Sequence, residues 1–398
     1  MRMPSPMNLV ARKLRERLVG RLVACGTITS KRLTAAMEKV PRHIFVPEVS
    51  IWAAYDDRVV LTRERDGQVL STLSQPSAVV RMLQDLKVEP GMRVLEIGAG
   101  TGYNTALLAE LTGDPTLVTG VEIDPGMVDR ARKSLEVAGY GGVTVVHADG
   151  FGFESDTQFH RIELSVEAPF IAPGWVRSLR PGGLILLPLR LKGIRYFTPA
   201  FRKHPDRLQA ESDSGCAFMA MRGPSGPVET LFRVPGLDQK KFTWESPGEF
   251  PGEALRSALA ATPRTHPDAN ANYSALGYVA LGHDATFTMT DRGDCGVQPL
   301  GVYDRDSGSV CLLRGIADGT GIRIQSFGGD GAYNAALSLL DEWDHRGKPL
   351  LDDRQILGYP TGQTPAPSPG WRLVHKPHYN LLVGPAGVPV GPDQPDLG

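Results

Sequence analysis

The stretch "VLEIGAGTGYNTALLAEL", Val94 to Leu111, joins a short apolar run to a glycine-rich turn and then to a helical pattern. That order decides the fold class. Val94 to Ile97 reads as a buried strand. Gly98, Gly100 and Gly102 let the backbone turn sharply and come close to a ligand, and the helix opening behind them offers unpaired N–H groups. Further along, "LVTGVEI" (117–123), "VTVVHA" (143–148), "RIELSV" (161–166) and "GLILLPLRL" (183–191) repeat the apolar run at intervals of helical length. This alternation predicts βαβ units and a mostly parallel sheet with helices on both faces.

A Gly-x-Gly-x-Gly turn alone is weak evidence, and its spacing differs from the dinucleotide fingerprint; no phosphate loop of the G-x-x-x-x-G-K-[ST] type occurs. The surrounding acids say more. Glu96 lies inside the first strand, where it either meets the ligand or orients the loop. Glu122 ends the next strand, in position to accept from ribose hydroxyls. Asp149, in "HADGF", is placed to accept from an adenine amino group with Phe151 beside it. The expected ligand set is Glu96, Gly98, Ala99, Gly100, Thr101, Gly102, Glu122, Ile123, Asp149, Gly150 and Phe151. Acids without a phosphate-binding lysine suit a cationic nucleoside better than a pyrophosphate, and S-adenosylmethionine fits. Asp124 before Pro125 reads as a helix N-cap.

The chain of 398 residues has room for two domains, and 41% hydrophobic with 22% charged residues is an ordinary globular composition. Lys plus Arg (43) balance Asp plus Glu (44), so nothing predicts the broad attraction that nonspecific nucleic-acid binding needs. Cys25, Cys216, Cys295 and Cys311 show no C-x-x-C spacing and read as reduced thiols. No H-E-x-x-H or clustered ligand spacing predicts a metal. The N-terminus is broken by charges before reaching signal-peptide length, and no apolar run of about 18 residues follows. The expectation is a cytoplasmic protein with no membrane span.

Leu14, Leu18 and Leu22 recur every four residues among arginines, predicting an amphipathic helix over 9–24; Ser30 then caps a second helix stopped by Pro41. After the last apolar run, "IRYFTPAFRK" and "CAFMAMRG" read as a closing antiparallel pair. "GPSGP" (223–227) marks a break. The expected division is a catalytic domain over 1–222, an α+β domain over 228–385 and a disordered tail over 386–398. In the second domain "YVALG", "ATFTMT", "GSVCLLRG" and "IRIQSFG" read as strands. "AYNAALSLLDEWDHRG" reads as a helix whose Ala336, Leu337, Leu339, Leu340 and Trp343 share much of one side, a core pattern. Tyr333 and the Trp371 loop are candidate peptide contacts.

A second group of motifs narrows the reading: "VPRHIFVPE" (40–48), "AAYDDRVV" (53–60), the Ser-Gln-Pro turn in "TLSQPSAVVRMLQDL" (72–86) and "SLRPGGLILLPL" (178–189). With the glycine loop, these resemble the protein-L-isoaspartate O-methyltransferases over roughly residues 8 to 222. The implied fold is α/β, a class I S-adenosylmethionine-dependent methyltransferase (Rossmann-like) domain, followed here by a C-terminal α+β domain. The resemblance implies that Ser74, with Thr72 and Gln75 near it, hydrogen-bonds the acceptor carboxylate. Ser74 or Gln75 also suits an N-cap before Pro76, and the two roles are compatible. Asp57 matches a family position at the site entrance, as a substrate contact or a salt-linked loop acid. His43 reads as a packed structural histidine.

The chain departs from repair enzymes of that family, which are normally single-domain, by its added C-terminal part. It also has "RERDGQVLSTLSQP" where a glycine-rich segment is usual. In "RIELSVEAPFIAPGW", Glu163 and Glu167 replace small or apolar residues, and Glu167 is a candidate substrate contact. The extended layout resembles the isoaspartyl-methyltransferase-like enzymes of graspetide and lanthipeptide maturation. That implies a cyclised precursor peptide as partner, and methylation of an aspartate that goes on to aspartimide or isoaspartate. Two alternatives stay open: a general repair enzyme with an accessory domain, and a non-catalytic cofactor-binding scaffold. Oligomeric state is not readable from the sequence.

Overall fold

The computed structural model describes residues 6–65, 68–192, 194, 197–225, 231–234, 240–244, 250–291, 299–316, 321–350, 353–388 and 390. Cys295, the end of the 223–227 break and the tail from 391 lie outside them. Two compact units emerge: Met1–Leu189 with Tyr196–Gly226, and Arg190–Arg195 with Pro227–Gly398.

The first unit opens with α1 (Pro6–Ala24), α2 (Lys31–Lys39) and the short α3 (Ile51–Ala54). The Ser30 hydroxyl caps α2 by accepting from Leu33 N. A two-stranded antiparallel hairpin follows, β1 (Val60–Arg65) and β2 (Gln68–Leu73), then α4 (Pro76–Leu86). The alternating part comprises β3 (Val94–Ile97), α5 (Tyr103–Thr112), β4 (Val118–Glu122), α6 (Pro125–Val137), β5 (Thr144–His147), β6 (Phe159–Leu164), α7 (Pro173–Ser178) and β7 (Leu179–Leu186). β8 (Pro199–Lys203) and β9 (Leu208–Asp213) complete the sheet.

Within this unit the strands run in the order β9-β8-β7-β6-β3-β4-β5. β3 pairs in parallel with both β4 and β6, so successive crossovers leave it in opposite directions and open a crevice at its carboxyl end. Val94, Val118, Val145 and Leu186 join one core with α1, α2, α4, α5 and α6. Alternate residues Leu95, Ile97, Val121 and Ile162 are equally buried, so both faces are covered, as a parallel sheet requires. The closing antiparallel pair is β8 with β9, not "CAFMAMRG". Residues 216–223 form no strand; Ala220 makes only an isolated bridge to Glu167. The better strand signal was "LQAESD", whose alternation is masked by charge.

The second unit contains β10 (Leu231–Phe232), β11 (Lys240–Trp244), α8 (Gly252–Ala260), β12 (Arg264–Thr265), α9 (Tyr273–Gly282), β13 (Thr286–Asp291), β14 (Leu300–Asp304), β15 (Ser309–Gly315), β16 (Ile322–Phe327) and α10 (Gly331–His345). β17 (Arg354–Pro360), β18 (Arg372–Val374) and β19 (Tyr379–Pro385) form an antiparallel group. The larger sheet has the order β10-β11-β13-β14-β15-β16-β12. One face carries α9 and α10 over Val302, Cys311, Leu313 and Ile324; the other carries α8 over Phe242, Phe287, Val310 and Leu312. "YVALG" is therefore helix, not strand. An apolar run buried all round shows no helical period, and the missed signal was Asn272, whose side chain caps α9 at Ser274 N. In α10, Ala336, Leu340 and Trp343 are core, Tyr333 stacks on His266 at 3.6 Å, and Trp371 is 4% exposed.

Candidate active site

At the carboxyl end of β3 the loop Gly98–Gly102 has positive φ at Gly98, Gly100 and Gly102, a conformation closed to most side chains. Gly98 N and Ala99 N donate to Val121 O, pinning the loop to β4. Glu122 stands at the end of β4. Its Oε2 accepts from Gly100 N at 2.9 Å, and its Oε1 accepts from Ile123 N and Asp124 N. These bonds use three of the carboxylate's about four lone-pair sites, and Oε2 keeps the one that remains. Asp124 caps α6 through Met127 N and is paired with Arg63 of β1 at 2.7 Å, fastening the hairpin to this corner.

Thr101 is 2% exposed, and its hydroxyl has no partner among the described residues. An orphaned buried hydroxyl in a glycine loop fits a site built for a hydrogen-bonding ligand. Asp149 lies after β5; its Oδ1 accepts from Phe151 N and its Oδ2 from Ser225 N. Phe151 packs against Phe170 and Trp175, whose indole N–H donates to Gly150 O. Glu122 and Asp149 thus stand at the end of β4 and just after β5, on the side of the sheet where the glycine loop lies.

Glu96 occupies a different place. It is fully buried beneath α5, accepting from Asn104 Nδ2, Thr105 Oγ1 and Ser165 Oγ at 2.9, 2.5 and 2.8 Å. It holds the first turn of α5 from behind. Beside it in register on β6 stands Glu163, 1% exposed, whose only partner among the described residues is the same Asn104 amide at 3.0 Å. Burial and the charge of Glu96 push the Glu163 carboxyl up to about 8, and burial raises Glu96 as well. Glu163 was visible in the sequence as a departure. That it pairs with Glu96 was not, because register between strands about 66 residues apart is a tertiary property.

The Ser-Gln-Pro turn follows β2. The Ser74 hydroxyl is half-buried and takes no partner among the described residues. The turn's backbone is held instead: the Ser74 carbonyl accepts from Arg42 Nη2 at 2.9 Å, while Arg42 Nε donates to Ala54 O. Arg42 is wholly buried, with its guanidinium over the Tyr103 ring at 4.9 Å. This arginine ties the "VPRHIFVPE" motif to the turn, a role that its place in the sequence does not announce. His43, the next residue, bonds Tyr55 OH at 2.9 Å and serves packing.

Gln75 occupies the N-cap position of α4 without a capping bond of its own. The cap comes from Asp57, whose Oδ1 accepts from Ser77 N at 2.9 Å and whose Oδ2 accepts from Gln75 Nε2 at 3.3 Å. Thr72 donates to Met219 Sδ, and the neighbouring Ser71 hydroxyl lies 3.8 Å from where a Cβ on Gly100 would be. The hairpin therefore runs over the glycine loop.

One segment is not legible in the sequence: 219–225. Met219 O accepts from Glu167 N at 2.7 Å, Met221 N donates to Glu167 O at 2.8 Å, and Arg222 donates to Leu70 O. Met221 packs on Gly150, and Gly223 passes against the Asp149 carboxylate too closely for any side chain. This strap joins the β2 side of the site to the Asp149 corner, with Glu167 beneath it. Its only signal was the Met/Gly content of "FMAMRG". No cluster of three metal-ligating side chains occurs among the described residues, and no helix there is long and apolar enough to cross a membrane.

The family model of protein-L-isoaspartate(D-aspartate) O-methyltransferase matches residues 12–225. The protein-L-isoaspartate O-methyltransferase of Aeropyrum pernix is 39% identical over 237 residues, which span 59% of this chain and 86% of that protein. That of Methanothermobacter thermautotrophicus is 37% identical over 214 residues, 53% of this chain and 96% of the relative. A solved protein-L-isoaspartate O-methyltransferase structure aligns with a TM-score of 0.52 at 23% identity, covering 86% of this chain and 96% of its own. The first unit has the class I S-adenosylmethionine-dependent methyltransferase fold. The aligned share exceeds that unit, so a fold likeness extends into the second.

Proposed function

The chain belongs to the protein-L-isoaspartate O-methyltransferase family, and on that premise we propose that it esterifies the side-chain carboxylate of an aspartate in a macrocyclic, ribosomally made peptide. The family's enzymes use S-adenosylmethionine, which supplies a methyl group on a sulfonium when bound. The acceptor carboxylate is already ionised at neutral pH, so no general base is needed. What remains for the protein is orientation and exclusion of water.

The observation that carries this reading is the Ser74 hydroxyl, half-buried and without a partner among the described residues, on a turn locked by Arg42 and next to a strand that passes over the glycine loop. A donor held there suits a carboxylate oxygen. Thr72 and Gln75 flank it, Asp57 fixes Gln75 and the start of α4, and Glu167, beneath the 219–225 strap, is the candidate substrate contact. Esterification turns the carboxylate into one that loses methanol. The following backbone nitrogen attacks the ester carbonyl, its proton leaves with methoxide, and an aspartimide results; hydrolysis gives isoaspartate. A rigid macrocycle favours this by holding the attacking geometry. The second unit supports the peptide reading as a separately folded surface for recognition. The free thiols of Cys25, Cys216 and Cys311 suit a reducing, cytoplasmic setting.

The names of the relatives favour a second reading, general isoaspartyl repair with an accessory unit. Mass spectrometry separates the two. The protein with S-adenosylmethionine is offered a generic isoaspartyl peptide and, separately, a cyclised precursor. Gain of one methyl followed by net loss of one water on the precursor supports maturation. Methylation of the generic peptide alone supports repair, and cofactor binding with neither product supports a scaffold.

A further inference from the structure

The face of the larger sheet that carries α8 is only partly covered. Past the C-terminal end of α8 it opens into a cavity of about 450 Å³ within the second unit. Its floor is Met289, Leu312 and Phe327, and Leu259 and Pro263 form one wall. Three cations reach the rim: Lys240 from β11, Arg314 from β15 and Arg323 from β16.

Arg314 and Arg323 are direct cross-strand partners. Like charges placed opposite each other in an antiparallel pair destabilise the sheet, so the arrangement asks for an anion. Among the described residues little supplies one. Arg323 reaches Asp268 at 3.7 Å, an exposed pair, while Arg314 and Lys240, both half-buried, have no partner among the described residues. Asp291 stands opposite Lys240 in the register. Among the described residues, no acid lines the cavity. The end of α8 contributes about half a negative charge, which leaves the cavity lining net positive.

We propose that this cavity binds an acidic peptide segment, with an apolar side chain on the Met289–Leu312–Phe327 floor and flanking carboxylates on Arg314, Arg323 and Lys240. Spacing supports a peptide over a small anion: an apolar floor beneath a cationic rim matches alternating acidic and apolar side chains, whereas phosphate would leave the floor bare. The proposal extends the reading of the second unit as a recognition module and rests on it. It assigns the peptide's acidic flank, not the methylated aspartate, to this unit.

The test uses the full chain and a short fluorescein-labelled peptide of alternating aspartate and leucine, read by anisotropy. Binding is expected, together with its loss when asparagine replaces aspartate and its weakening between about 0.05 M and about 0.5 M salt. The double variant Arg314→Gln/Arg323→Gln should bind about tenfold more weakly, the equivalent of two exposed ion pairs. It should also fold, since it removes a repulsion; unchanged S-adenosylmethionine affinity by calorimetry is the control. Ser74→Ala should bind the peptide as the parent does, separating this cavity from the catalytic unit. Parent-like affinity in the double variant, equal binding of the asparagine peptide, or full displacement by inorganic phosphate would each overturn the proposal. Absence of methyl transfer in the earlier experiment would refute the enzymatic reading and leave this binding result intact.

Discussion

Glu163→Gln should make the first unit more stable at alkaline pH. The carboxyl is 1% exposed, lies beside Glu96 in register and shares the Asn104 amide with it. Its folded value of about 8 stands above the ordinary 4.5, so the folded state holds this proton more tightly than the unfolded chain. The stability from this group is complete below pH 4.5, falls as pH rises towards about 8, and is gone above that. At about 1.36 kcal/mol per pH unit the gap corresponds to about 5 kcal/mol as a ceiling. Relaxation around the buried charge and sharing with Glu96 reduce the expected cost to about 2–4 kcal/mol.

Glutamine keeps the shape and has no proton to lose. Parent and variant should therefore match at about pH 4, and the variant should gain about 2–4 kcal/mol at about pH 9. Pulse proteolysis in urea, scored by mass spectrometry on peptides from β3 and α5, reports this unit separately from the second. A variant less stable than the parent at alkaline pH, or parallel pH profiles for the two, would refute the argument.

Glu122→Ala should weaken S-adenosylmethionine binding by about 1.5–3 kcal/mol through lost charge-assisted hydrogen bonds. Unchanged affinity in calorimetry would remove Glu122 from the cofactor site. Ser74→Ala should leave that affinity intact and lower turnover about tenfold or more; full turnover would reduce the turn to a structural element. Asp57→Ala should cost about 1 kcal/mol of stability by uncapping α4. A raised KM with the urea midpoint unmoved would show a substrate contact instead.

Features carried by neighbouring residues are legible in the sequence itself. Ser30 and Asp124 cap their helices across three residues, the glycine loop needs only its own φ angles, and the apolar runs announce a parallel sheet. The same locality fails at "YVALG", where a helix buried all round lacks the period that would separate it from a strand. It fails again at "CAFMAMRG", which is apolar enough for a strand but is held across the site by Glu167 and Leu70 and, at Gly223, lies against Asp149.

The sequence by itself therefore determined the class of fold, the placing of Glu122 and Asp149 at the carboxyl ends of successive parallel strands, and the presence of a Ser-Gln-Pro turn ahead of them. Only the tertiary structure decided what those residues lean on. Arg42 reaches Ser74 over 32 positions, Asp57 caps a helix 20 positions away, and Glu163 meets Asn104 across 59. Such contacts leave no periodic trace in the chain. Each depends on which strand is laid beside which, and the crossovers from β3 settle that through burial of both sheet faces.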